Sequence, residues 1–303
     1  MRNLLKMICI ALVLGVSVAI EAQTRRALVI GIGQYEDGAW KKIYGDRDVP
    51  YVERMLRDAG YRPGNIHRLV NHQATKAAIV EAFGLLEARA ERGDIVFVHF
   101  SGHGQQMVDL HNDEPDGLDE CWIPYDAYRK PCDRDRGEKH LTDDEVNYHL
   151  NAIRDKIGSE GKMLVVIDAC HSGDATRGDE DEDNEVVRGV EDIFEAIKSF
   201  VYPSASTKGA RVVNLKANRN PERWITLSAC QSDQQNTELR NPVVGKLTYA
   251  ICTTVKECEA GISNSAFFRK IKKFFSYKSG SRPQTPVMTG ETDKYKIIDI
   301  IHK

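Results

Sequence analysis

The sequence predicts an α/β fold, a three-layer α-β-α sandwich whose mainly parallel central sheet carries helices on both faces. Three observations lead there. Short unbroken apolar runs at 26–33 (RALVIGIG), 94–100 (DIVFVHF) and 163–167 (MLVVI) have the composition of strands buried on both faces. Segments with helical apolar spacing separate them, and strands alternating with helices demand crossover connections and parallel pairing. The chain has 303 residues, 41% of them hydrophobic and 29% charged, which suffices for one large globular domain.

Taken in order, residues 1–22 read as a signal peptide. Arg2 and Lys6 form a basic start, 7–20 is apolar but short for a membrane span, and Ala22 precedes a cleavage point at Gln23. An exported protein is expected, periplasmic or extracellular, with no stable membrane association once the signal is removed. The strand at 26–33 follows. Asp48 then stands at the start of a helix over 49–59 with Val52, Met55 and Leu56 at helical spacing; an acid there also suits the helix dipole. Residues 61–70 read as a strand, with Arg62-Pro63-Gly64-Asn65 as its turn. Thr75 caps a helix to about residue 92 whose stripe is Ala78, Ile79, Ala82, Phe83, Leu86 and Ala90.

The strand at 94–100 ends in Ser101-Gly102-His103-Gly104, and the strand at 163–167 ends in Asp168-Ala169-Cys170-His171-Ser172-Gly173. Ligands of open α/β sheets bind at the carboxyl ends of strands, so an imidazole and a thiol are presented where chemistry is expected. If the two strands are neighbours, His103 can take the proton of Cys170 and return it to a leaving amine. A lone cysteine at a strand end is more often a buried small hydrophobe, and the pair is what makes the signal specific.

The segments HFSGHG and DACHSG resemble the two signatures of the metacaspases and related bacterial caspase-like cysteine peptidases. The resemblance implies that His103 is the general base and acid and that Cys170 is the nucleophile, with the amides of Gly104 and Cys170 as oxyanion donors. It implies substrate-binding roles for Asp48, Ser101, Asp168 and Ser228. Two carboxylates in that pocket would repel an acid and accept Arg or Lys, so peptides with a basic residue before the scissile bond are the expected substrates. Where the family often has Cys or Ala three residues before the pocket acid, this chain has Gly45. The stretch 119–127 (DECWIPYDA) and the pair in 141–145 (LTDDE) are similar to the family's calcium segments, which makes Asp119, Asp143 and Asp144 expected ligands of an activating calcium ion. Capping of the helix at 143–157 also explains Thr142 and Asp143. The family's fourth acid has no clear match, because Arg177 stands there. The chemistry itself needs no cofactor.

Residues 175–221 break the regular pattern. They are rich in Asp, Glu, Ser and Asn around an amphipathic piece at 190–200, and they separate a large-subunit-like half (23–174) from a small-subunit-like half (222–303). Arg177, Arg188, Lys198, Lys208 and Arg211 are the points at which an enzyme with a basic preference would cut itself; a plain surface insertion is the alternative. The later stretch 224–229 (WITLSA) continuing into 230–234 (CQSDQ) is similar to the family's second-half signature, and in relatives extended substrate pairs beside that strand. Helices at 245–250 and 263–275 and a last apolar stretch at 295–301 complete the chain.

A net charge of -3 leaves no basic surface for nucleic acid, and a monomer is expected. Of seven cysteines, Cys121 with Cys132 and Cys252 with Cys258 are pairs that an oxidising compartment could bridge. Two other functions compete with the expected one: a legumain-like or gingipain-like peptidase without the two-acid pocket, and a catalytically silent binding module.

Overall fold

The structure, a computed structural model, describes residues 23–109, 114–170, 186–190, 192–196, 222–232, 234–277 and 283–303. The signal segment 1–22 and the basic residues Arg177, Lys198, Lys208 and Arg211 lie outside these. In chain order the elements begin with β1 (Arg25–Gly31), α1 (Asp48–Asp58), β2 (Ile66–Val70), α2 (Lys76–Arg89) and β3 (Ile95–Ser101). A small antiparallel sheet follows, β4 (Gly104–Val108), β5 (Leu118–Trp122) and β6 (Leu141–Thr142), then α3 (Asp143–Ile157) and β7 (Lys162–Asp168). After the linker come β8 (Ile225–Ser228), the short pair β9 (Glu238–Arg240) and β10 (Val243–Gly245), α4 (Lys246–Thr254), α5 (Asn264–Tyr277), β11 (Val287–Gly290) and α6 (Ile298–Ile301).

The main sheet has the order β11-β8-β7-β3-β1-β2, and only β11 runs antiparallel. Its period-two side chains divide into two cores. Ala27, Val29, Phe97, Leu164 and Val166 face α1, α4, α5 and α6, whereas Leu28, Ile30, Val96, Val98, Met163 and Val165 face α2 and α3. This is why those strands carry no polar face, and the expected three layers follow from it.

Local corrections have local causes. The turn expected at 62–65 is present as a 3-10 turn over Pro63–Asn65, with proline at the favoured first position, and the strand expected over 61–70 lies wholly after it, from Ile66. Thr75 caps α2 as expected, its hydroxyl accepting from Ala78 N, but the helix stops at Arg89 where Ala90 turns extended. Around the amphipathic piece at 190–200, the described residues 186–190 and 192–196 make bridges Val187 to Thr237, Gly189 to Gly104 and Phe194 to Met107. Neither considered cysteine pair is bridged.

Candidate active site

β3 and β7 are adjacent and in register, Ser101 opposite Asp168. Each chain then runs two residues further, to His103 and to Cys170, so both side chains leave the same end of the sheet and both are buried.

His103 is held on all sides. Its ring stacks on Trp40 at 5.1 Å and tilts against Tyr35 at 5.2 Å, and its backbone N–H donates to the Tyr35 hydroxyl at 2.7 Å. Nε2 lies 2.8 Å from the carbonyl of Lys41. A carbonyl only accepts, so the proton sits on Nε2 and Nδ1 keeps its lone pair. Among the described residues, Nδ1 has no hydrogen-bond partner. Burial pushes the imidazole pKa down to about 4 against the Lys41 hydrogen bond, and the charges of Arg188 and Arg129 push the same way. The ring is therefore a neutral base at ordinary pH.

Cys170 lies under the linker strand. Its thiol donates to the Gln234 carbonyl at 3.0 Å, and its backbone N–H donates to the carbonyl of Arg188 at 2.9 Å. A Cβ on Gly189 would come within 2.9 Å of Cys170 Cβ and 3.2 Å of its sulfur, so only a glycine lets the chain pass this close to the thiol. The Arg188–Gly189 peptide bond thus runs across the cysteine, and Gly104 bridges Gly189 from the other side.

The Arg188 side chain is fully buried among carboxylates. Nη1 lies 2.7 Å from Asp48 Oδ2, 2.6 Å from Ser101 Oγ and 3.4 Å from Asp168 Oδ1, while Nε lies 2.8 Å from Glu238 Oε1. Asp168 is itself fixed: Asn236 Nδ2 donates to one oxygen, and Thr248 donates to the other through both N–H and hydroxyl, each at 2.8 Å. Burial alone would raise its pKa, but the Arg188 charge and these donors hold it below the usual carboxylate range. Asp48 is held by Gly245 N at 2.7 Å. The backbone of 186–188 completes the clasp as an antiparallel strand, with Arg188 N donating to Asn236 O and Glu238 N to Val186 O.

A caspase-domain family model matches residues 24–296. A metacaspase-1B of Aspergillus fumigatus is 33% identical over 299 residues, which cover 88% of this chain and 69% of that protein. The chain belongs to the caspase-domain family. It is accordingly a cysteine-type endopeptidase of metacaspase type. Two solved structures share the fold. One is a Geobacter sulfurreducens protein solved as a structural genomics target (TM-score 0.60, 21% identity, 92% of this chain and 97% of that one). The other is caspase-1 of Spodoptera frugiperda (TM-score 0.56, 10% identity, 88% and 87%).

Within this caspase domain, Asp48, Ser101 and Asp168 converge as the sequence led us to expect, and Gly104 and Cys170 flank the linker bond. Ser228 ends β8 opposite Ile167 and is not among the groups that bond Arg188. The missing wall is Glu238, which sequence reasoning passed over; its only signal was an acid shortly after the 230–234 block. Strand pairing with 186–188 also falls on 236–238 rather than on the edge of β8, because β11 already covers that edge.

The expected calcium acids belong to the small β4–β6 sheet and to the helix that follows it. Asp119 is on β5, and Asp143 and Asp144 open α3 behind the Thr142 cap and its Glu145 capping box. Burial pushes the Asp143 pKa up to about 7, helped by the charges of Glu120, Asp144 and Glu114. Carboxylate oxygens are the donors that a hard cation prefers. Among the described residues, however, no three His, Cys, Asp or Glu are arranged to hold a metal ion.

Proposed function

We propose that this protein cleaves peptide bonds after Arg, and less readily after Lys, and that its own Arg188–Gly189 bond is its first substrate. The carrying observation is Arg188 itself, its guanidinium among Asp48, Asp168 and Glu238 and its carbonyl on the Cys170 amide. In this reading Cys170 Sγ attacks the Arg188 carbonyl carbon while His103 Nδ1 takes the thiol proton. The oxyanion is met by the Cys170 N–H and by Gly104 beside it. Collapse breaks the C–N bond, the same proton passes to the Gly189 amine, and Arg188 is left as a thioester. Water, deprotonated by His103, then releases the Arg188 carboxylate and regenerates the thiol. The Lys41 carbonyl and the Tyr35–Trp40 clamp keep the imidazole in the tautomer that this requires.

Export through residues 1–22 is part of the same proposal. So is calcium, as an ion that Asp119, Asp143 and Asp144 would bind only by drawing closer together than they stand in this structure, and without entering the hydrolytic steps.

The test is the purified full chain, with and without calcium, followed by intact mass and amino-terminal sequencing. A new terminus at Gly189 is expected, with Cys170→Ala and Arg188→Gln both remaining whole. Cleavage of the Cys170→Ala chain at the same bond would refute the proposal. A panel of Arg, Lys, Asn and Asp peptides then separates the basic preference from a legumain-like one.

A further inference from the structure

The clasp on Arg188 holds only one side of the scissile bond, and the other side is held as well. Past Gly189, the described residues Val190 and Asp192–Ala196 run along the free edge of β4 as a parallel strand. Phe194 N–H donates to Gln106 O at 2.8 Å, and Val108 N–H donates to Phe194 O at 3.2 Å. Gln105 Nε2 donates to Asp192 O at 2.9 Å, and Arg129 Nη2 pairs with Asp192 Oδ2 at 2.8 Å. Phe194 is fully buried among Met107, Cys121, Ile123 and Ala127, its ring 4.1 Å from that of His140. Gly137, at φ +128, leaves room beneath it: a Cβ there would meet Ala196 Cβ at 3.4 Å and the Phe194 ring at 3.6 Å. The neighbouring Ile193 is 44% exposed, so Phe194 is the anchor of a strand lying on the surface.

We propose that the free edge of β4 and the pocket around Phe194 form a primed-side substrate groove. It takes an extended peptide with an aromatic side chain at the sixth residue after the cut and an acid at the fourth, opposite Arg129. The groove rests on the reading of Arg188–Gly189 as a scissile bond, and it extends that reading to specificity beyond the pocket. Strand addition supplies affinity that is blind to sequence, and the pocket supplies the choice. The groove is remote from the reacting carbonyl, so its contribution is the same in ground and transition states and falls on KM rather than kcat. Burying one phenylalanine side chain corresponds to about tenfold to a hundredfold in binding. The Asp192–Arg129 pair is partly exposed and contributes only a few-fold by the usual measure of such pairs, about twofold to fivefold.

The experiment uses the full chain carrying Phe194→Ala, after it has cut itself, so that its own strand no longer fills the pocket. Two peptides are compared: one copying residues 184–196, the other identical but with alanine for its phenylalanine. The expected result is a KM lower by about tenfold or more for the phenylalanine peptide, with kcat unchanged. Equal KM values overturn the groove while leaving the basic-residue reading intact. If neither peptide is cut, that reading fails and the groove with it. Where Phe194→Ala does not fold, Phe194→Leu keeps the apolar cluster filled; the phenylalanine peptide is then still preferred, by a smaller ratio, and equality again overturns the proposal.

Discussion

Two groups of buried acids in this protein experience opposite fates. Around Arg188, Asp48, Asp168 and Glu238 share one guanidinium, and Asp168 stays below the usual carboxylate range although it is buried. At the start of α3, Asp143 has Glu120, Asp144 and Glu114 as its neighbours and is pushed up to about 7. The chemistry of the side chains is the same, and the difference is a cation in one group. Even in the first group the single positive charge is stretched, because burial raises Glu238 despite Arg188. A pocket with more buried negative charge than its occupant can neutralise rejects acids strongly and holds a guanidinium tightly, which is the electrostatic basis of a basic preference.

The comparison can be broken by removing the cation. In the Cys170→Ala background, which cannot cut itself, Arg188→Gln leaves three buried carboxylates without their partner. The expected loss is about 3–5 kcal/mol of stability, read as a lower urea midpoint with an unchanged slope.

At the other group the expected sign reverses. The folded-state pKa of Asp143, about 7, lies above its unfolded value, so the charged form costs stability. That cost accrues as pH rises from about 4 and is complete above about 7, with an upper bound of roughly 4 kcal/mol. Asp143→Asn is therefore expected to raise the melting temperature at pH 8 and to leave it unchanged at pH 3.5. A stabilisation that is equal at both pH values would show that charge is not the cause.

Glu238 sharpens the comparison further. It accepts from Nε of arginine, an atom that lysine lacks, so Glu238→Gln should lower the Arg-to-Lys ratio of kcat/KM about tenfold while preserving cleavage after Arg. The smallest expected effect is an absence of change. With His103 at about 4, the neutral base is present throughout pH 5–7, so single-turnover self-cleavage should vary less than about twofold over that range. A tenfold fall per pH unit starting at 6.5 would mean that the imidazole is not buried as described.

Much of this was legible in the sequence because its signals are local. Apolar runs of the right length marked the strands, and the step from those runs into Ser-Gly-His-Gly and Asp-Ala-Cys marked where side chains leave the sheet. Thr142 with Glu145 announced the start of α3, which spans the expected residues. Where the sequence carried no such signal, tertiary pairing decided: the edge of β4 drew Phe194 into a bridge with Met107.

The sequence alone determined the layered α/β architecture, the two strand ends that carry His103 and Cys170, and the acids that meet a basic residue. Only the tertiary structure decided that Arg188, one of seven basic residues in 175–221, occupies the pocket, that Glu238 completes it and that Phe194 anchors the strand beyond the cut. The reason is distance along the chain. Arg188 meets Asp48 across 140 positions and Gly245 meets Asp48 across 197, and no short-range pattern encodes contacts that exist only after the sheet has brought its strand ends together.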